Sequence, residues 1–259
     1  MHEALTKPLA VATFGAVRPD SRRFHVAMAG VFAIIAIAGF IPSYWAKLVN
    51  GTFDGAPIFH LHGLVLFSWI GFYFVQTALV AADRARNHRA WGLAGIALFS
   101  VMICTTVALG IHSMQVTDRL GIGAAGRQFS VTTFVSLALL AGLFAAAIAN
   151  VRRPEIHKRL MLLVMVVVVQ AGVSRLFAML FATPGTIGPP PLTATIPTGL
   201  TTDILILVAV VHDWRTRGRP HAVYVYGGSI VLAVQLLLVP IGRSATWMSF
   251  ANALQHLMG

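Results

Sequence analysis

Five ionisable residues in this sequence have the types and the placement to support metal or redox chemistry. His60 and His62 lie two residues apart at the start of a long apolar stretch, and three more lie in or at the ends of later apolar stretches: His112, Arg175 and Asp203. Neutral imidazole is a ligand for zinc, copper, iron and nickel. Ionisable groups inside membrane spans are costly to insert, so these residues are candidates for function.

A shared depth would let these side chains form one site near the outer surface of a membrane. At 1.5 Å of rise per residue, His62 would lie roughly 8 Å into its span and Asp203 about 9 Å into another. We expect three metal or haem ligands and two supporting residues: His60, His62 and His112, with Asp203 and Arg175. Two residues turn a helix by about 200°, so His60 and His62 can share one ion only if their helix starts in an irregular turn. A hydrogen-bonded structural cluster is the alternative that the pattern leaves open.

Four other histidines share a different position, at the start of an apolar stretch and shortly after basic residues: His25, His88, His157 and His221. Residues 84–89 and 153–158 have the same outline, which hints at an internal duplication. Such groups at a cytoplasmic interface are typical of contacts with lipid phosphates. The alternative is that some of these histidines converge on an inner ligand or on a haem propionate.

The composition indicates an integral membrane protein. Of the 259 residues, 57% are hydrophobic and only 10% are charged, whereas about a quarter of a soluble domain is charged. The net charge of +11 comes from short basic clusters between apolar stretches. That distribution fits membrane topology and argues against a nucleic-acid partner. The single cysteine, Cys104, excludes an intrachain disulfide and a cysteine-based metal motif, and we expect it to be a small packing residue.

Seven apolar stretches are long enough to cross a bilayer, which needs about 20 mostly apolar residues. They cover residues 25–46, 57–82, 90–112, 129–150, 158–182, 197–213 and 221–242. The sequence therefore predicts an all-α protein, a polytopic membrane bundle of seven transmembrane helices. After the last stretch, apolar residues at helical spacing predict a short amphipathic helix: Trp247, Phe250, Ala251, Leu254 and Met258.

The basic residues alternate between the connecting segments in a way that predicts orientation. Segments on one side carry 14 of the 19 lysines and arginines, and segments on the other side carry four. Because cytoplasmic loops are enriched in basic residues, we expect the N-terminus inside and the C-terminus outside a bacterial inner membrane. The predicted organisation is a cytoplasmic arm (1–24), a membrane domain (25–242) and an outer amphipathic segment (243–259).

Haem is one of the cofactors that these histidines could hold. No histidine lies near the middle of a predicted span, so a pair of stacked b haems is not expected. One haem per leaflet stays open, with His62 and His112 as ligands on the outer side. On the inner side the ligands would come from His88, His157 or His212.

Four short motifs carry a resemblance to known proteins: FHLHG at 59–63, NHRAWG at 87–92, IHKRLM at 156–161 and DWRTRGRPH at 213–221. With them, the chain from about residue 55 to residue 250 resembles a family of uncharacterised bacterial multi-pass membrane proteins. The resemblance implies a multi-pass membrane fold and implies no reaction. The His-Arg and His-Lys elements are also similar to small b-type haem membrane proteins, but the paired mid-span ligands of those proteins are missing.

The leading functional expectation is a redox or metal-binding membrane protein that holds haem b or a transition metal at the outer histidines. A second possibility is a non-enzymatic accessory subunit, held among other membrane subunits by its apolar faces, its proline-rich loop at 183–199 and its C-terminal helix. A third is a membrane-embedded metallohydrolase acting on lipid, which would need the same ligands and a free coordination position. The sequence leaves open whether the protein is an enzyme.

Overall fold

The computed structural model describes residues 19–183 and 185–256, and these residues are helical with no β-strand among them. Most of the predicted arm at 1–24 lies outside the described residues, as do residues 257–259 of the C-terminal segment. The first helix begins at Pro19, within the predicted arm.

The described chain forms ten α-helices. They are α1 (Pro19–Phe40), α2 (Ala46–Val49), α3 (Pro57–Ala81), α4 (Ala85–Ala90), α5 (Gly92–Arg119), α6 (Gly123–Ala149), α7 (Pro154–Phe181), α8 (Thr195–Arg217), α9 (Gly228–Arg243) and α10 (Ala245–His256). Two π-helical turns extend this series, Ile41–Trp45 between α1 and α2 and Val223–Gly227 before α9. A short 3₁₀ turn, Leu192–Ala194, leads into α8.

In the part of the chain that the structure describes, seven helical segments are long and apolar enough to span a membrane, which confirms the predicted bundle. They are Ser21–Val49, Pro57–Ala81, Gly92–Arg119, Gly123–Ala149, Pro154–Phe181, Leu192–Arg217 and Val223–Arg243. Several extend beyond the predicted ends, because the backbone hydrogen bonds of a helix continue where the apolar side chains stop. The third segment, for example, ends at Arg119 rather than at residue 112. Which end of the bundle faces the cytoplasm stays a prediction.

Helix α7 is the central element of the bundle. In its most apolar stretch 56% of the residues are buried, against 28% to 39% in the other six segments. It packs against α1, α6 and α8, and α6 packs in turn against α5 and α9. The helices therefore form two rings that share a wall of α6 and α7. The larger ring is completed by α1, α3 and α5, and the smaller one by α8 and α9.

Helices α1 and α7 approach closely because two glycines face each other. A Cβ atom added at Gly39 would lie 2.4 Å from the carbonyl oxygen of Gly172. Small residues allow helix backbones to come into direct contact, and that contact is a main source of helix association in membranes. The contact between these two glycines thus fixes α7 against α1, and α7 carries several of the charged residues of the bundle.

The C-terminal residues form the predicted short amphipathic helix, α10. Trp247 and Ala251 are buried, whereas Phe250 is exposed. The indole Nε1 of Trp247 donates a hydrogen bond of 2.9 Å to the carbonyl oxygen of Arg127. Helix α10 is therefore held against α5, α6 and α9 as part of the bundle.

Candidate functional site

The two histidines of the first motif lie on different faces of one regular helix. Helix α3 begins at Pro57, and the irregular turn that a shared ion would require is not present. His60 is exposed, and its Nδ1 lies 2.9 Å from the hydroxyl oxygen of Tyr44. His62 points to α5, where its Nδ1 lies 3.3 Å from Oγ1 of Thr105. A single ion held by both His60 and His62 is therefore not supported by this geometry.

The other three residues of the predicted outer site each have a different partner. His112 packs edge-on against Phe59, with ring centroids 5.7 Å apart. The guanidinium carbon of Arg175 lies 4.2 Å from the ring centroid of Phe40. Asp203 accepts a 3.2 Å hydrogen bond from Gln235. Asp203 belongs to the smaller ring, on α8, whereas the histidines lie on α3 and α5 of the larger ring.

The structure does not assemble the predicted outer ligand set. Across residues 19–183 and 185–256, no three His, Cys, Asp or Glu side chains lie close enough to hold one metal ion. One reason is the length of α5, since His112 lies seven residues before its last residue, Arg119, about 10 Å along the axis rather than at the end. A metal or haem at these residues stays a prediction. Cys104, expected to pack inside, is instead exposed on the surface of α5.

Charged residues from several helices meet at the other end of the bundle. We call this end the basic end, defined by three ion pairs between helices or their connections: Arg22–Asp83, Arg159–Asp213 and Arg217–Glu155. It collects the first residues of α1, α5 and α7 and the last residues of α3, α6 and α8. The predicted orientation assigns this end to the cytoplasm.

The strongest of these pairs is buried. Arg159 Nε donates to Asp213 Oδ2 at 2.8 Å, and Arg159 Nη2 donates to Asp213 Oδ1 at 2.6 Å. Their side chains are only 1% and 3% exposed. A bidentate contact of this kind fixes both distance and orientation, so it joins the neighbouring helices α7 and α8 of the smaller ring. In the sequence, Arg159 is one of several basic residues at the start of an apolar stretch, and its carboxylate partner on α8 was not predicted.

One carboxylate, Glu155, is shared by three cations. Its Oε1 accepts from Lys158 Nζ at 2.6 Å, and its Oε2 accepts from Nη1 of Arg159 and of Arg217, also at 2.6 Å. The spacings of three and four residues along α7 are the ones that bring side chains together on a helix, so two of these contacts were accessible from sequence. The arrangement leaves an excess of positive charge at the basic end.

Two of the four basic-end histidines are used in local backbone contacts. His25 is buried, and its Nδ1 lies 2.7 Å from the carbonyl oxygen of Ser21. His221 accepts a 3.2 Å hydrogen bond from the backbone N–H of Val223 through its own Nδ1, where the turn before α9 begins. Burial, together with the positive charges of Arg159 and Arg217, lowers the pKa of His221. This histidine is therefore a neutral capping group for the last membrane segment.

The other two histidines, His88 on α4 and His157 on α7, lie next to each other in an edge-to-face arrangement. Their ring centroids are 6.3 Å apart and their planes are inclined by 68°. His88 Nδ1 lies 2.7 Å from Oε1 of Gln76, and His157 Nδ1 lies 2.8 Å from the carbonyl oxygen of Ala147. Both acceptors are carbonyl-type oxygens, so each Nδ1 donates its hydrogen, and Nε2 is the nitrogen on each ring whose lone pair could bind a metal. Burial, then the neighbouring His157 and Arg89, lowers the pKa of His88.

Comparison of the chain with protein-family models, with curated proteins and with solved structures found no match. The assignment of a function therefore depends on the geometry of the chain's own residues.

Proposed function

We propose that the protein is a redox protein of the bacterial inner membrane that holds haem b or a transition-metal ion between His88 and His157, at the cytoplasmic end. The observation that carries this proposal is the pair of imidazoles whose Nδ1 atoms are both occupied by oxygen acceptors. The proposal keeps the predicted class of cofactor and moves it from the outer to the inner histidines.

The hydrogen bonds to Gln76 and Ala147 are of the kind that orients metal ligands. A ligating histidine nearly always donates its other ring N–H to a carbonyl or carboxylate oxygen, which fixes the tautomer and the ring direction. Both acceptors are held firmly, because Gln76 is 8% exposed and Ala147 is fully buried. His88 and His157 thus each have the second hydrogen bond that orients a ligating histidine.

The separation of the two rings also fits coordination of one metal centre. Metal–imidazole bonds of about 2 Å on both sides of an ion place the two ring centroids about 6 Å apart, and the observed separation is 6.3 Å. Two protein ligands suffice for haem, whose porphyrin supplies the other four, and a histidine is among the usual axial ligands of haem iron. Haem or a bound transition metal would supply electron transfer at this position.

The test is spectroscopy and metal analysis of the full-length protein, produced with haem precursor, iron and copper in the medium. We expect a Soret band or one equivalent of metal, lost in His88→Ala and in His157→Ala. His62→Ala and His112→Ala are the matched controls, because they remove the predicted outer ligands and should leave the signal intact. Retention of the signal in His88→Ala and its loss in His62→Ala would return the site to the outer end.

A further variant separates ligation from a purely structural role of the pair. Gln76→Leu keeps both imidazoles and removes the acceptor of His88, so we expect metal affinity to fall by about 10- to 100-fold or the absorption maximum and potential to shift. A wild-type protein that is folded, colourless and free of stoichiometric metal would contradict the proposal.

A further inference from the structure

An open pocket with a basic wall lies at the basic end, between the end of α8 and the turn that leads into α9. Its volume is about 410 Å³, and its lining includes Arg217, Arg219, His221 and Tyr226. This volume is within the range of about 300 to 1,000 Å³ that is typical of small-ligand sites. The pocket is separate from the pair His88 and His157.

The charges around this pocket are incompletely neutralised within the protein. Arg217 donates a hydrogen bond to Glu155, but that carboxylate also accepts hydrogen bonds from Lys158 and Arg159. Arg219 is exposed, and within residues 19–183 and 185–256 it makes no hydrogen bond or ion pair. The pocket therefore offers guanidinium donors to an anion, and guanidinium groups match the geometry of phosphate oxygens.

The exposed apolar and aromatic residues around the pocket favour a lipid over a soluble anion as its ligand. Tyr226 is 72% exposed, Val225 45% and Trp214 63%, all close in sequence to the arginines of the pocket. Tyrosine and tryptophan are enriched where a membrane meets water, because one part of the ring is apolar and the other is polar. The pocket lies where one membrane segment ends at Arg217 and the next begins at Val223. The ends of membrane segments are where we expect lipid headgroups.

We propose that this pocket binds the phosphate headgroup of an acidic phospholipid, with Arg217 and Arg219 contacting the phosphate and Tyr226 and Val225 contacting the acyl chains. Basic pockets between membrane helices on the cytoplasmic side are known to take anionic headgroups. A free phosphate offers the same oxygens but no acyl chain, so the experiment must distinguish the two.

The test measures lipid binding to the purified full-length protein by native mass spectrometry and by thermal unfolding in detergent. The probes are phosphatidylglycerol, phosphatidylcholine with the same acyl chains, and inorganic phosphate. We expect phosphatidylglycerol to bind and to raise the unfolding temperature, and the other two to have little effect. Equal binding of phosphatidylcholine, or stabilisation by inorganic phosphate alone, would overturn the proposal.

Arg219→Gln is the informative variant, because Arg219 has no partner among the described residues whose loss would disturb folding. We expect its affinity for phosphatidylglycerol to fall about fivefold, the effect of one basic residue near an anionic lipid surface. Arg215→Gln is the matched control, since Arg215 is also exposed at the end of α8 but does not line the pocket. Equal losses in both variants would mean that general surface charge, rather than the pocket, attracts the lipid.

Discussion

The buried pair of Arg159 and Asp213 gives a quantitative prediction. The contact is bidentate, with N–O distances of 2.8 and 2.6 Å, and both side chains are almost completely buried. Removing one member of a buried pair leaves a charge without its partner and costs about 3 to 5 kcal/mol. Replacing both members with apolar residues of similar size is often neutral or even stabilising. We therefore expect a large coupling between the two positions.

The structure also predicts which single substitution is worse. In Arg159→Met, Asp213 loses the only cation that donates a hydrogen bond to it in the described part of the chain. In Asp213→Leu, Arg159 keeps Glu155, which accepts from it at 2.6 Å. We therefore expect a loss of unfolding free energy near 5 kcal/mol for Arg159→Met and near 3 kcal/mol for Asp213→Leu, values that are about the limits of the usual range. The double variant should lie within about 2 kcal/mol of wild type.

The assay is equilibrium unfolding in mixed detergent micelles, followed by circular dichroism, on the wild type and the three variants. Asp83→Asn is the control, because Asp83 pairs with Arg22 but is 80% exposed, and an exposed pair contributes about 0 to 1 kcal/mol. Asparagine also tolerates the left-handed backbone at this residue, where φ is 59°. If the double variant lost as much stability as the sum of the two single variants, the pair would be uncoupled and the reasoning refuted.

Two further substitutions test the packing of α1 on α7 and the cap on the last membrane segment. Gly39→Ala should cost about 1 to 3 kcal/mol of unfolding free energy, because the new Cβ would meet the backbone of Gly172. Gly71→Ala, where no atom lies within 4 Å of the added Cβ, should be neutral or stabilising by up to about 1 kcal/mol. If both variants lost the same unfolding free energy in detergent, the close packing of α1 on α7 at Gly39 would not be the cause. Burial, and then Arg159 and Arg217, lower the pKa of His221, whereas Asp213 and Glu155 oppose the shift. The lowered pKa favours the neutral ring in the folded protein. Stability should therefore fall as the pH drops below the ordinary histidine value of 6.5, and by much less than the limit of about 1.4 kcal/mol per pH unit, because solvent screens a partly exposed ring. His221→Asn should flatten that part of the pH profile, and an unchanged profile would show that another group is responsible.

The membrane segments could be predicted from the sequence because they depend on local composition. A stretch of about 20 apolar residues is costly to leave in water and long enough to cross a bilayer, whatever its neighbours are. The ends of the segments were predicted less accurately, because helices α5 and α6 include polar residues such as Asp118 and Arg127 beyond the apolar stretches. Those two residues form a 2.6 Å ion pair with each other near the turn that joins the helices.

The candidate site was less predictable, because it depends on which faces of different helices meet. Depth along a helix can be calculated from sequence, but the direction of a side chain around the axis has to be known as well. His62 and Asp203 have comparable predicted depths, yet one contacts Thr105 in the larger ring and the other contacts Gln235 in the smaller ring. His88 and His157 were recognised as similar in sequence position, and only the packing of α4 near α7 made them a pair.

The distance along the chain between Arg159 and Asp213 has a consequence for biosynthesis. The two residues are separated by 54 positions, and ribosomes add about 5 to 20 residues per second. The newly made α7 therefore waits roughly 3 to 11 s before α8 can provide Asp213. Glu155 lies one helical turn from Arg159 on the same helix and is present from the start. It gives the arginine an early partner during insertion, and the arrival of α8 then completes the contact, before α9 closes the smaller ring against α6.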